Sequence, residues 1–247
     1  MLSKQHLKFI KSLQLKKYRK QAQSFIVEGE KSVVELIHSS IKIKTIIATK
    51  RFLDYHFHLL HSKGIECIET SEKTLNNIGT FQQNQTVLAV AQIPVLPPLN
   101  IFEYSYIPVF EYLQDPGNLG TILRICDWYG INVIVLSSDS VDVYNSKVIQ
   151  SSMGSFTRIH VYYEDLENIQ IPPDYTMIGT TLDGQDVHQF IWPEKAMIIF
   201  GNESQGISNK LYQKLDRKIT IPKFGAAESL NVSVATGIVL DQLKSKT

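Results

Sequence analysis

The chain has 247 residues, 43% of them hydrophobic and 20% charged, with a formal net charge of +1. That is length and apolar content for one or two domains with full cores, and no apolar run approaches a membrane span. The basic N-terminus has no apolar segment behind it, and the two cysteines, Cys67 and Cys126, lack CxxC spacing, so we expect a cytoplasmic protein with buried free thiols, without signal peptide, disulfide framework or structural zinc.

The near-zero net charge hides a division. Residues 1–63 carry 13 Lys+Arg against 4 Asp+Glu, a net of +9, and residues 64–247 carry 12 against 20, a net of −8. Such asymmetry points to a polyanion partner for the N-terminal part. The densest cluster, Lys4, Lys8, Lys11, Lys16, Lys17, Arg19 and Lys20, surrounds Tyr18 on a helical Lys/Leu segment. It suits phosphate contact with base stacking, and a solvated helix face is the plainer alternative. An apolar element at 24–29, a helix over 30–39 and a strand at 45–48 follow. A helix over 52–63 and strands at 66–68 and 86–91 complete a small α/β domain. His56, His58 and His61 read as exposed helix histidines, since only His58 and His61 stand three apart, and no metal is expected.

Three prolines at 94, 97 and 98 break the chain, which predicts a domain at 1–93, a proline-rich linker at 94–104 and a second domain at 105–247. Apolar runs at 107–113, 132–136, 177–181 and 196–200 alternate with helical segments, the pattern of a parallel sheet covered on both faces. Sites in such sheets lie beyond the carboxyl ends of the strands. Three loops stand there. The first, Asp115-Pro116-Gly117-Asn118-Leu119-Gly120, enters a helix that carries Arg124 and ends near Gly130. It has neither the Lys-Ser/Thr of a P-loop nor the glycine spacing of a dinucleotide site. The second runs from Gly201 through Asn202, Glu203 and Gly206 to Ser208, a candidate N-cap for a helix over 209–215. The third leaves a short strand at 219–221, passes Pro222 and reaches Ser229 and Asn231. Either could cap a helix whose apolar residues Val232, Ala235, Val239 and Leu243 fall at helical spacing.

Together these segments resemble the SpoU (TrmH) family of RNA ribose 2′-O-methyltransferases in the SPOUT superfamily. The resemblance rests on Asn118, Gly120 and Arg124, on G-N-E-x-x-G-I-S at 201–208, and on I-P followed by S-L-N-V-S-V-A within 221–235, and it covers roughly the last 145 residues closely. Lys223, and the bulky Asp127-Trp128-Tyr129 before Gly130, depart from the family pattern without touching a functional position. The F-I-V-E-G element is similar to the L30e-like RNA substrate-binding domain that precedes such catalytic domains. The resemblance implies an α/β chain whose C-terminal parallel-sheet SPOUT domain holds a deep trefoil knot, with S-adenosylmethionine bound in the knot and a homodimer around the sites.

It also implies the site. A ribose hydroxyl is a weak nucleophile at neutral pH, so some group must take or share its proton while it is aligned with the methyl carbon. Arg124 is the implied residue. Its guanidinium stays protonated, so it is expected to pair with the target phosphate and the hydroxyl while the phosphate helps accept the proton; the formal base is left open. Pairing with Asp127 on its own helix is the structural alternative. Asn118 is expected on the target ribose or phosphate, Glu203 as the residue that orients Arg124 or Asn118, and Ser229 and Asn231 as positioning groups. Thr181, Gly201, Ile221 and Leu230 are expected to line the cofactor site, largely through backbone groups. Ribosomal RNA is favoured over tRNA as substrate, with a non-catalytic RNA-binding protein as the reading from another class.

Overall fold

The computed structural model describes residues 2–80, 86–202 and 204–246. The chain clusters into two compact units, Met1–Leu96 with Asp142–Arg158, and Pro97–Val141 with Ile159–Thr247. The chain order expected from sequence thus differs from the packing: residues 142–158, which interrupt the second half, group with the first.

In the first unit, α1 (Lys4–Ser12) and α2 (Lys16–Ala22) precede β1 (Ser24–Glu28), α3 (Glu30–His38) and β2 (Ile43–Ala48). Then come α4 (Lys50–Tyr55), α5 (Phe57–Ser62), β3 (Cys67–Glu69), α6 (Glu72–Ile78) and β4 (Val87–Gln92). The sheet order is β1-β4-β2-β3, with β4 antiparallel to both neighbours and β2 parallel to β3. All of β1 is buried, and Ile10, Leu13, Ile26, Ile47, Leu75, Leu88 and Val90 form one core cluster. The helix expected over 52–63 is two helices that meet at His56, whose φ of −101° and ψ of 15° lie outside helical values. Cys67 is exposed, against expectation, because β3 is an edge strand that turns Cys67 and Glu69 outward and only Ile68 inward.

Arg19 corrects the reading of the basic cluster. The other lysines of that segment are exposed, but Arg19 is buried, and its guanidinium donates to Asp142 Oδ2 from Nε (3.0 Å) and Nη2 (2.7 Å). Its Nη1 donates to the carbonyls of Leu13 (3.0 Å) and Gln14 (2.8 Å). A guanidinium with this many internal partners is a structural anchor rather than an RNA contact. The helix Ser146–Ser152, unforeseen from sequence, belongs to the same unit, where Phe25 of β1 packs on Tyr144 and Phe156.

In the second unit, β5 (Tyr106–Phe110) leads into α7 (Pro116–Trp128) and β6 (Val133–Ser137). After α8, the helix at Ser146–Ser152 already placed, come β7 (His160–Glu164), β8 (Thr176–Asp186), β9 (Ala196–Phe200), α9 (Asn209–Tyr212), β10 (Arg217–Thr220) and α10 (Val232–Lys244). All pairs in the order β10-β8-β9-β5-β6-β7 are parallel. The strands β6 and β9 are buried throughout, as continuous apolar runs between helical layers must be. Phe110 and Phe200 stack at 4.9 Å at the ends of adjacent strands. Pro108 sits in a central strand, where it has no N–H to give, and the β5–β6 ladder is confined to Val109 and Phe110 beyond it. α7 ends at Gly130, whose φ of 66° suits a glycine C-cap, with Ile131 N–H bonded back to the Cys126 carbonyl (2.8 Å). Cys126 is buried on α7, and burial raises its thiol pKa far beyond the ordinary value. No helix among the described residues is long and apolar enough to cross a membrane.

Candidate active site

The strand order locates the crevice. From β5 the chain winds outward through β6 and β7, then returns through β8 to place β9 on the other side of β5. The crevice at such a reversal, beyond the carboxyl ends of β5 and β9, is where doubly wound sheets bind ligands. Glu111, Tyr112 and Leu113 follow β5 there, and Gly201 and Asn202 follow β9; with Phe110 and Val232 they line one shallow cleft.

The loops of this crevice hold one another. Glu111 is buried, and its carboxylate accepts the Ser208 N–H at 2.8 Å. Asn202 folds its own loop by accepting the N–H groups of Ser204 (2.9 Å) and Gln205 (3.2 Å), and its backbone pairs with Gly206. Its Nδ2 donates to the Tyr112 carbonyl at 3.1 Å. A Cβ on Gly201 would collide with the backbone of Gly206 and Ile207, so the turn admits only glycine. Ser137 Oγ, from the end of β6, accepts the Tyr112 N–H at 2.9 Å.

Of the residues expected from sequence, Asn118 and Asn231 are brought together. Asp115 caps α7 and accepts the Asn118 N–H at 2.8 Å. Asn231, rather than Ser229, caps α10: its Oδ1 accepts the Ser233 N–H at 2.9 Å, and its Nδ2 donates to Asn118 Oδ1 at 3.0 Å. Two helix N-termini, each with a positive dipole end, are thereby tied side by side, an arrangement that attracts phosphate. Ser229 is exposed in the irregular segment before α10, and Glu203 lies outside the described residues. Arg124 is exposed and forms no ion pair or hydrogen bond among the described residues, so the alternative pairing with Asp127 is not made. Six residues beyond Asn118, it lies about 240° further round the helix axis. It shares its face with Trp128, four residues on and 84% exposed.

Of the expected cofactor residues, Thr181 lies at a kink in β8. Its pairing with β10 jumps from Lys218↔Gly179 to Ile219↔Gln185, so residues 180–184 loop out of the ladder. Thr181 stands in that excursion with its hydroxyl oxygen buried and without a hydrogen-bond partner. Beside it, Lys218 above all, with Tyr212, holds the Asp183 carboxyl down to about 2. Tyr212 donates to Asp183 at 3.0 Å, and Lys218 donates to both. Ile221 is half-buried and Leu230 is 47% exposed. An orphaned buried hydroxyl, a glycine-only turn and these apolar walls fit a cofactor with both polar and apolar parts. Among the described residues no group of His, Cys, Asp or Glu is placed to hold a metal.

Glu111 and Tyr112 were not singled out from sequence, and Asn202 stood within a motif without a role of its own. A signal existed for Glu111, a carboxylate inside the apolar run 107–113. Nothing in the sequence announces that Tyr112 leaves the strand.

Comparison with known proteins agrees with this geometry. Residues 106–241 match the SpoU rRNA methylase family, and residues 4–89 match the MRM3-like substrate binding domain. The chain is 30% identical to the 23S rRNA (guanosine(2553)-2'-O)-methyltransferase RlmP of Bacillus subtilis, over 97% of this chain and 96% of that protein. Its fold is similar to that of a TrmH-family chain from Porphyromonas gingivalis, with a TM-score of 0.87, 31% identity and full coverage of both chains. An AdoMet-bound rRNA methyltransferase from Sinorhizobium meliloti superimposes with a TM-score of 0.88 at 27% identity, covering 99% of this chain and 96% of that one.

Proposed function

The chain belongs to the SpoU rRNA methylase family, and from that premise we propose that it methylates a ribose 2′-hydroxyl of 23S ribosomal RNA. It is an RNA ribose 2′-O-methyltransferase, and S-adenosylmethionine is its cofactor. The observation that carries the reading is the Asn118–Asn231 bridge, which joins the heads of α7 and α10 at the carboxyl end of the sheet. The substrate-binding match over residues 4–89 and the 23S relative favour ribosomal RNA over tRNA. We assign the work to the cytoplasm, where such RNA is made.

When bound, S-adenosylmethionine supplies an electrophilic methyl on a sulfonium. Thr181 would offer its free hydroxyl to it, Gly201 its backbone, and Ile221 and Leu230 their apolar surface. The paired amides of Asn118 and Asn231, on two helix N-termini, would hold the phosphate and ribose of the target nucleotide. Ser229 and Glu203 belong to the same loops in sequence. Arg124 would pair with the phosphate and the hydroxyl and lower the cost of removing the proton. Its place on the exposed stripe with Trp128, away from the Asn118 face, supports a homodimer in which a second copy covers that stripe and sites are completed across the interface. The threaded knot is what the family implies for the C-terminal segment.

The test is transfer of isotopic methyl to unmodified 23S rRNA, with nuclease digestion to locate it. Label on a ribose is expected, together with its loss in Arg124→Ala and retained cofactor binding by that variant. Label on a base, or an Arg124→Ala variant that is folded but cannot bind S-adenosylmethionine, would contradict these roles.

A further inference from the structure

Among the described residues three non-glycine residues have positive φ: Gln23 (46°), Met153 (51°) and Tyr112 (53°). Gln23 and Met153 are the C-caps of α2 and α8, where a left-handed residue ends the helix and satisfies its last carbonyls. Tyr112 ends no helix. It follows β5 by two residues, at the crevice between β5 and β9, where glycine would take the same φ without strain. Packing does not repay the strain either, because the residue is 43% exposed. The conformation is nevertheless fixed from both sides, by Ser137 on its N–H and Asn202 on its carbonyl. Strained backbone that its surroundings hold in place is characteristic of functional sites.

The surroundings say which function. The cleft lined by Tyr112, Glu111, Gly201, Asn202 and Val232 has about 190 Å³ of empty space in all, open solvent included, so it is a shelf and encloses no base. What it offers is an exposed aromatic whose backbone is held in place beside Asn202, whose loop closes on Gly201, and beside Val232, which directly follows Asn231. An exposed aromatic on a fixed backbone is what an unstacked nucleobase binds, because every base has a π-face. We propose that Tyr112 is the stacking platform for the base of the target nucleotide, or its immediate neighbour, when that nucleotide is drawn out of the RNA for methylation. The proposal rests on the RNA methyltransferase reading and adds to it a residue that grips the base, where Asn118, Asn231 and Arg124 act on phosphate and ribose.

The test compares Tyr112→Gly, Tyr112→Leu and Tyr112→Phe in methyl transfer to unmodified 23S rRNA. Losing one base–aromatic stack is expected to raise the KM for RNA about 5- to 150-fold in the Gly and Leu variants, with kcat and S-adenosylmethionine affinity little changed. Tyr112→Phe, which keeps the ring face, recovers most of that loss. Tyr112→Gly also relieves the positive φ, so it melts no lower than the parent while binding RNA worse, a combination that a purely structural tyrosine would not give. An unchanged KM in the Gly and Leu variants overturns the proposal. So does a Phe variant as defective as Leu, or a loss of cofactor affinity matching the loss for RNA. An unsubstituted chain that methylates no RNA sinks the enzymatic reading and this proposal with it, whereas an active chain with indifferent variants sinks the proposal alone.

Discussion

Replacing Asn231 separates two tasks that its side chain performs at once. Its Oδ1 caps α10 at Ser233, and its Nδ2 bridges to Asn118 at the head of α7. Asn231→Ala removes both. Losing an N-cap to alanine costs roughly 0.5–2 kcal/mol, and a neutral hydrogen bond contributes about 0.5–1.5 kcal/mol net. Asn231 is exposed and Asn118 half-buried, so water replaces part of the bond and the lower half of that second range applies. The sum is about 1–3 kcal/mol, a fall of roughly 2–12 °C in Tm for a chain of this size. Asn231→Asp keeps the capping acceptor and adds a charge that the helix N-terminus favours. It has no N–H for Asn118, however, and sets two oxygens against each other. It should melt between the parent and Asn231→Ala, yet lose methyl transfer as fully as the alanine variant, with S-adenosylmethionine still bound. Combining each change with Asn118→Ala closes a double-mutant cycle with a coupling of about 0.5–1 kcal/mol. Thermal unfolding, calorimetric cofactor titration and methyl transfer give the three readouts. Additivity within about 0.3 kcal/mol would refute the bridge, and an Asp variant as unstable as the Ala variant would refute the cap.

Three further outcomes are expected. Arg19→Ala strands the Asp142 carboxylate, only 15% exposed, and should cost about 3–5 kcal/mol in urea unfolding. Lys16→Ala, Lys17→Ala or Lys20→Ala should leave unfolding unchanged and flatten the salt dependence of RNA binding by roughly 0.7 for each phosphate no longer neutralised; equal destabilisation by all four would erase the distinction between the buried anchor and the RNA-facing lysines. Asp183, held at about 2 by Lys218 foremost, has a folded pKa below its unfolded value of about 3.9. Its contribution is therefore complete above about pH 4 and lost as pH falls towards 2. The Tm gap between the parent and Asp183→Asn should be constant down to about pH 4 and narrow below it; a gap that widens on acidification contradicts the assigned partners.

Local sequence determined a good deal of this protein. The run at 196–200 is β9 residue for residue, because a central parallel strand is buried on both faces and must be apolar throughout. The caps at Asp115, Ser208 and Asn231 follow from short polar side chains placed directly before helices. The prolines at 94, 97 and 98 mark the break between β4 and β5, and the ordered motifs of the second half carry the family. Long-range packing decided the rest. Arg19 sits among lysines in sequence, and only the fold brings Asp142, 123 residues away, to meet its charge. The Asn118–Asn231 bridge spans 113 residues, and Glu111 reaches Ser208 across 97. Tyr112 reads as the end of an apolar strand, and its turn into the crevice is set by Ser137 and Asn202, two partners on other strand ends. Periodicity and capping act over a few residues and can be read along the chain. Which side chains converge at a sheet's carboxyl edge depends on strand order, and strand order is fixed only when the whole core has packed.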